Sequence, residues 1–155
     1  MIDDIDRRIL ELVQADARRS NKDLAAAVGV SPSTMVNRLR NLEQAGVIRG
    51  YHAEVDQAHL GRDVQAMVMV TLQPKSPAAV AEFEAAIWKL EQTIAISLMT
   101  GEFDILVHMS DRSVPALAET VLSRVASAPN VVSERTSIVF EHRRKPALRA
   151  LTPDD

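Results

Sequence analysis

The chain has 155 residues, a net charge of −3, 46% hydrophobic residues and 25% charged residues. This composition is typical of a soluble globular protein, and no apolar run reaches the ~18 residues that a membrane-spanning helix needs. Cysteine is absent, which excludes disulfides, thiolate metal sites and cysteine nucleophiles and fits a cytoplasmic protein. The acidic start, MIDDIDRR, lacks an apolar signal core, so we expect no secretion.

Two helices are predicted before residue 30. Residues 3–15 carry an apolar stripe at helical spacing, formed by Ile5, Ile9, Leu12 and Val13. A polar break follows, and we expect Asn21 to be the N-cap of a second helix over Lys22–Val28. Gly29 can take the left-handed conformation that ends this helix.

A third helix is predicted from Pro32 to about Ala45, with Ser31 as its N-cap. Its inner face is expected to comprise Met35, Val36, Leu39 and Leu42. A short helix, a tight turn and a capped second helix are typical of a helix-turn-helix, whose second helix enters the DNA major groove.

The other side of this third helix is polar and can hydrogen-bond base edges or phosphates. The residues we expect to bind DNA are Ser31, Ser33, Thr34, Asn37, Arg38, Arg40 and Asn41. A structural three-helix domain with a solvated polar face is the alternative.

The distribution of charge agrees with a modest DNA-binding surface. Residues 1–50 carry a net charge of +1 and residues 51–155 a net charge of −4. Because one such module makes few phosphate contacts, we expect two or more modules to act together.

The second half of the chain changes to a pattern with strands. A strand over 64–72 alternates Val64, Ala66, Val68, Val70 and Leu72 with Met67 and Met69. The further predicted elements are a helix over 78–90, strands over 94–100 and 103–109 joined by a hairpin at Gly101-Glu102, a helix over 114–126 and a strand over 131–140. The order β-α-β-β-α-β is that of a ferredoxin-like fold, in which both helices cover one face of the sheet.

The uncovered sheet face would present apolar residues, for example Met67, Met69 and Met99; the pattern does not decide which alternate set faces the helices, but either set is apolar. A patch of several hundred Å² is unusual on a monomer. We therefore expect sheet-to-sheet dimerisation, which would also supply a second DNA-binding module.

The chain resembles the Lrp/AsnC family of bacterial and archaeal regulators over residues 1 to about 141. The resemblance is carried by the segment from IDDIDRR to HAEVD, by Leu60-Gly61, by TGEFD at residues 100–104 and by the RTSIVF strand. It implies an α+β chain with four parts. These are a winged helix-turn-helix over 1–50, an extended linker over 51–62, a ferredoxin-like effector and oligomerisation (RAM) domain over 63–141, and a tail over 142–155 that is basic and then acidic.

The resemblance also implies partners and a second site. Family members bind double-stranded DNA, dimerise and assemble further, so we expect a homodimer and an octamer. Their effectors are usually amino acids, which suggests control of amino-acid metabolism or transport genes. The effector residues carried over are Met99, Thr100, Gly101, Glu102, Phe103, Asp104, Glu134 and Thr136. No cofactor, metal or membrane partner is implied.

Other interpretations of the site and the function stay open. Asp104 can be a turn-stabilising side chain rather than a ligand for an effector ammonium. Glu134 stands where relatives often carry a hydroxyl residue; it could favour a cationic effector such as lysine or arginine, or could point away from the pocket.

Two further functions are compatible with the fold. One is a nucleoid-type architectural protein that organises DNA without responding to an effector. The other is a siroheme decarboxylase-like enzyme, against which the regulator-type G-x-F-D turn argues.

Overall fold

The computed structural model describes residues 2–151 of the chain. The chain forms two compact units. One comprises the residues up to Glu54 together with those from Arg143 onward, and the other runs from Val55 to His142. The acidic end of the predicted tail, residues 152–155, lies outside the described residues. In the described part of the chain, no helix is long and apolar enough to cross a membrane.

The first unit contains three helices, α1 (Asp4–Ala15), α2 (Asn21–Val28) and α3 (Pro32–Gln44). The α1 helix begins with a reciprocal cap. The Asp3 carboxylate accepts a hydrogen bond from the Asp6 N–H at 2.8 Å, and the Asp6 carboxylate accepts one from the Asp3 N–H at 3.2 Å. This cap satisfies two backbone donors that the first turn would otherwise leave unpaired.

The predicted start of α2 is wrong by one residue. Ser20 is the N-cap, because its Oγ accepts the Asp23 N–H at 3.1 Å, and Asn21 is the first helical residue. Both residue types are good caps, so the sequence alone does not discriminate between them. The predicted left-handed end of α2 is confirmed, since Gly29 has φ 75°.

The core of the first unit lies where the three helices meet. Its buried residues are Ile9, Val13, Leu24, Ala25, Met35, Leu39 and Leu42. The prediction that Val36 faces inward is wrong, because its side chain is 38% exposed. Met35, Leu39 and Leu42 complete the inward stripe of α3, and a residue one step from Met35 is rotated by about 100° away from it.

The second unit contains the predicted β-α-β-β-α-β order. Its elements are β1 (Val64–Leu72), α4 (Pro77–Ile87), β2 (Thr93–Leu98), β3 (Ile105–Asp111), α5 (Val114–Thr120, continued by a π-helical turn, Val121–Ala126) and β4 (Val131–Val139). The four strands form an antiparallel sheet in the order β2-β3-β1-β4. Strands β2 and β4 are therefore its edges.

One face of the sheet and the two helices enclose the core of this unit. Side chains alternate along β1 as predicted, and the set that faces the helices and is buried is the one from Ala66 to Leu72. The buried side chains that complete this core are Phe83, Ile87, Ile105, Val107, Met109, Leu117, Val121 and Val125.

Two predicted helices differ from the observed ones. The α4 helix begins at Pro77 after the cap Ser76 and ends at Ile87, three residues before the predicted end. In α5, the apolar periodicity of residues 114–126 predicts that Val114 and Leu122 also face inward, yet their side chains are 52% and 65% exposed. The inward residues of α5 and its π-helical turn are spaced by four, at positions 117, 121 and 125. This spacing leaves both of those side chains outside the buried stripe.

The other face of the sheet, here called the outer face, carries a partly buried apolar strip. Met67 and Met69 of β1 lie on it, and Leu106 of β3 pairs directly with Met69. Next to this strip, His108 is buried and its Nε2 lies 2.9 Å from Gln65 Oε1.

The segment after β4 returns to α1 within the first unit. The Gln14 side-chain amide donates to the Leu148 carbonyl at 3.0 Å, and its oxygen accepts the Leu148 N–H at 3.1 Å. One side chain thus satisfies both backbone groups of Leu148.

Candidate functional site

The first candidate surface is the exposed side of α3. Ser33, Thr34, Asn37, Arg40 and Asn41 are exposed there. Serine, threonine, asparagine and arginine side chains at the start of a recognition helix can contact base edges and phosphates. With Ser31, which is also exposed, six of the seven predicted DNA-binding residues lie at the surface.

Ser31 has a local structural partner. Its Oγ accepts the Thr34 N–H at 3.1 Å and therefore caps α3. The same oxygen lies 2.8 Å from Thr34 Oγ1 and 3.0 Å from Ser33 Oγ. These three hydroxyl groups form one hydrogen-bonded cluster at the N-terminus of the helix.

Arg38 contacts α1 rather than lying free with the other polar residues of α3. Its Nη1 lies 2.7 Å from Asp3 Oδ2 and 2.8 Å from Asp6 Oδ1, and its side chain is 26% exposed. The hydrogen bond with Asp3, followed by that with Asp6, raises the pKa of Arg38. The Asp6 backbone N–H, followed by Arg38, lowers the pKa of Asp3. Arg38 could reach a base only by leaving both carboxylates.

The first unit has further cations that the sequence analysis did not single out. Arg7 pairs with Asp4, and Arg8 pairs with Glu11. Within the described residues, no carboxylate lies within ion-pair distance of the cations Arg18, Arg19, Lys22, Arg40 and Arg49. Arg18 and Arg19 are adjacent in the polar break between α1 and α2. Such a pair of neighbouring arginines is a sequence feature that could have identified them as candidate phosphate contacts.

The second candidate site is the turn Met99–Asp104, which joins β2 to β3. The Met99 N–H donates to the Asp104 carbonyl at 2.8 Å, and the Asp104 N–H donates to the Val70 carbonyl at 2.9 Å. Between them, the N–H groups of residues 100–103 have no acceptor among the described residues. Gly101 has φ 120°, a conformation that favours glycine. The turn therefore presents four consecutive backbone donors.

Asp104 is anchored below this turn. Its side chain is buried, and Oδ2 accepts the Leu72 N–H at 2.9 Å while Oδ1 lies 2.5 Å from Lys75 Nζ. The Lys75 ammonium, followed by the Leu72 N–H, lowers the pKa of Asp104. These contacts are those of a turn-stabilising carboxylate. Lys75, to which no sequence pattern pointed, therefore contacts the same turn.

The sheet places the remaining predicted effector residues, Glu134 and Thr136, together on its helix-facing side. Glu134 pairs with Val70 and Thr136 with Val68, so both share the side of β1 that packs on the helices. Thr136 Oγ1 donates to Glu134 Oε2 at 2.9 Å. Within the part of the chain that the structure describes, no hydrogen bond or ion pair joins Glu134 or Thr136 to the turn.

A different residue of β4 reaches the turn. The Arg135 guanidinium lies 5.2 Å from the centre of the Phe103 ring and 3.7 Å from Glu102 Oε1. Arg135 pairs with Met69 and so extends from the outer face. Periodicity gave no reason to select it, because its partners lie about thirty positions earlier in the chain.

Metal ligation has little support in this arrangement. Within residues 2–151, no group of three or more histidine, aspartate or glutamate side chains is placed to hold a metal ion.

Comparison with known proteins matches both halves of the chain to family models. Residues 2–49 match winged helix-turn-helix DNA-binding domains, and residues 65–147 match the Lrp/AsnC ligand-binding domain. The chain belongs to the Lrp/AsnC family. It is therefore a DNA-binding transcriptional regulator with a ligand-binding domain.

Relatives cover most of this Lrp/AsnC chain. The transcriptional regulator AldR of Mycolicibacterium smegmatis is 37% identical over 143 residues, which are 92% of this chain and 84% of that protein. The leucine-responsive regulatory protein of Escherichia coli K12 is 34% identical over 90% of this chain and 85% of its own length. Both relatives carry the names of regulators and not of enzymes, which argues against the decarboxylase alternative.

Solved structures agree with this assignment. The complex of a Neisseria meningitidis transcriptional regulator with L-Met superposes with a TM-score of 0.88, at 27% identity and 99% coverage of both chains. Escherichia coli AsnC superposes with a TM-score of 0.80, at 30% identity and 99% coverage of both chains. The α+β architecture predicted from the sequence is thereby confirmed.

Proposed function

We propose that this regulator controls genes of amino-acid metabolism or transport in response to an amino acid that binds at the Met99–Asp104 turn. The observation that carries the proposal is the turn itself. Among the described residues, its four central N–H groups have no acceptor, and a buried carboxylate lies at its end. This combination is suited to a ligand with both an anionic and a cationic group.

The chemistry of an α-amino acid fits such a turn. Consecutive backbone N–H groups form an anion-binding concavity, which is suited to the ligand carboxylate. Asp104 is the anionic group that can accept hydrogen bonds from the ligand ammonium. Phe103 and Arg135 would then contact the ligand side chain or close the site from the outer face.

Two relatives support this class of effector. The similar structure from Neisseria meningitidis is a complex with L-Met, and the similar protein from Escherichia coli is named leucine-responsive. Neither fixes the amino acid for this chain, because the residues of the turn and of β4 determine the ligand.

For DNA binding, we propose that α3 enters the major groove with its exposed side toward the bases. Asn37, Arg40 and Asn41 would read base edges, and Ser33 and Thr34 would contact phosphates or bases. The cations of the break between α1 and α2 would contact phosphates. Arg38 would support the helix from its other side through Asp3 and Asp6.

We also propose that the active form is a homodimer joined through the outer sheet face, which assembles further into an octamer. The apolar strip at Met67, Met69 and Leu106 provides the contact. Two helix-turn-helix modules on one dimer would raise the DNA affinity above that of either alone.

The test of this function is a thermal-shift screen of the purified protein against the twenty standard L-amino acids, followed by DNA titrations. Ligands that bind the folded protein raise its melting temperature by mass action. We expect at least one amino acid to raise it and to change the affinity for DNA fragments that the protein itself selects from a random pool. Stabilisation by DNA with no response to any amino acid would instead support the architectural alternative.

A further inference from the structure

The acidic group of the proposed effector turn is already paired with an ammonium group of the same chain. Asp104 uses Oδ2 for the Leu72 N–H and Oδ1 for Lys75 Nζ. Leu72 belongs to β1, so its N–H is fixed in the sheet. Lys75 lies in the segment between β1 and α4, and its side chain is 56% exposed. Of the two partners, Lys75 is the one that can move away without disturbing the fold.

The Lys75 ammonium and the α-ammonium of an amino acid are the same chemical group. Each carries one positive charge and three N–H donors. Among the described residues, no other cation lies within ion-pair distance of Asp104. Two ammonium groups held at the same carboxylate oxygen would repel each other. An incoming amino acid must therefore compete with Lys75 for this oxygen.

We infer that Lys75 is an internal competitor that sets the effector concentration at which the regulator responds. The inference rests on the amino-acid effector proposed above and adds to it a residue that tunes its affinity. Because Lys75 is largely exposed, its displacement into water costs little, and the competition weakens binding only moderately.

The position of Lys75 also indicates which element the displacement of its side chain would affect. The next residue, Ser76, caps α4, since its Oγ accepts the Ala79 N–H at 3.2 Å. Release of Lys75 thus occurs beside the start of a helix that packs on the sheet core. The Lys75 ammonium would thus be replaced by the ligand ammonium at the point where the Met99–Asp104 turn is linked to the start of α4.

The test compares Lys75→Met with a matched control, Lys89→Met. Methionine keeps much of the length and the apolar stem of lysine and removes the charge. Lys89 is also exposed, and within the described residues it has no ion pair. The probe is whichever of the twenty L-amino acids produces the largest thermal shift, titrated by calorimetry into the wild type and both variants.

We expect the amino acid to bind Lys75→Met roughly five-fold more tightly than the wild type, and Lys89→Met with unchanged affinity. An amino acid that binds Lys75→Met but shows no measurable binding to the wild type would support the inference equally. Circular dichroism checks that each variant is folded. If Lys75→Met does not fold, Lys75→Gln removes the charge while keeping one donor group.

Equal or weaker binding to the folded Lys75 variant would overturn the inference while leaving the amino-acid effector intact, because Lys75 would then be a spectator or a part of the ligand site. One further result would contradict the proposed amino-acid effector itself. If no amino acid binds the wild type, Lys75→Met or Lys89→Met, the turn does not recognise this class of ligand.

Discussion

Arg38 is of a residue type that often binds DNA, yet its side chain is used within the protein. Its place on α3 and its guanidinium predicted a base-reading role. In the structure the guanidinium joins α3 to both carboxylates of the α1 cap. Its Nε atom is buried and has no hydrogen-bond partner among the described residues. The side chain therefore has the environment of a link between two helices.

This environment separates the effects of two neighbouring arginines. We expect Arg38→Ala to lower the free energy of unfolding by about 1 kcal/mol, because the partly exposed pairs with Asp3 and Asp6 are lost. Arg40→Ala should leave the unfolding free energy nearly unchanged and weaken DNA binding by about 1–3 kcal/mol. Urea denaturation measures the first quantity, and fluorescence anisotropy with a selected DNA fragment measures the second. An Arg38→Ala variant of unchanged stability that loses its sequence preference would restore Arg38 as a base-reading residue.

The Met99–Asp104 turn, proposed above as the effector site, shows which side chains a sequence can and cannot bring together. The segment from Thr100 to Asp104 is contiguous and carries a recognisable pattern, so its turn was predictable. Lys75 and Arg135 enter the site from segments about thirty residues away on either side. Their contacts depend on strand order and register, which periodicity does not supply.

At the scale of elements, the alternation along β1 predicted that strand and the two sets of side chains on its faces, but it did not decide which set is buried. A period of two assigns every side chain to one face, so few alternatives remain. Helix ends were less predictable, because Ser20 and Asn21 are equally good caps. The π-helical turn after Thr120 was not predictable either, since its wider turn follows from packing rather than from any residue type.

The N-terminus of α3 allows a prediction about a single hydroxyl group. Ser31 caps the helix through the Thr34 N–H, whereas Ser33 contacts only the Ser31 hydroxyl among the described residues. We expect Ser31→Ala to lower the free energy of unfolding by about 1 kcal/mol. Ser33→Ala is the matched control and should change stability by less than half as much. Both values come from urea denaturation, and an equal loss in the two variants would show that the hydroxyl cluster acts as a unit rather than through the cap.

At the scale of the whole molecule, the chain passes between its two units twice. It leaves the first unit after Glu54 and returns to it after His142. The returning segment is held on α1 by both backbone groups of Leu148. The ligand-binding unit is thus covalently joined to the DNA-binding unit at both of its ends. A change in the proposed assembly of the ligand-binding unit would therefore be transmitted through both connecting segments.

The dimer proposed through the outer sheet face can be tested with a single charge. A glutamate in place of Met69 would put a carboxylate in the centre of the apolar strip, opposite Leu106 of β3 and Arg135 of β4. Even if Arg135 pairs with this carboxylate, removing both charges from water in an interface costs more than the apolar contact that they replace, so we expect Met69→Glu to be monomeric. Its DNA affinity should fall by about 10²-fold or more, because the two helix-turn-helix modules are no longer linked.

The matched control for this variant is Leu122→Glu. It places the same charge on an exposed apolar residue of the π-helical turn, away from the outer face. Light scattering coupled to size-exclusion chromatography gives the mass of each variant, and anisotropy titrations give the DNA affinity. We expect Leu122→Glu to retain the dimer. A Met69→Glu protein that also remains dimeric would place the subunit contact elsewhere, and the apolar strip would then need a different partner.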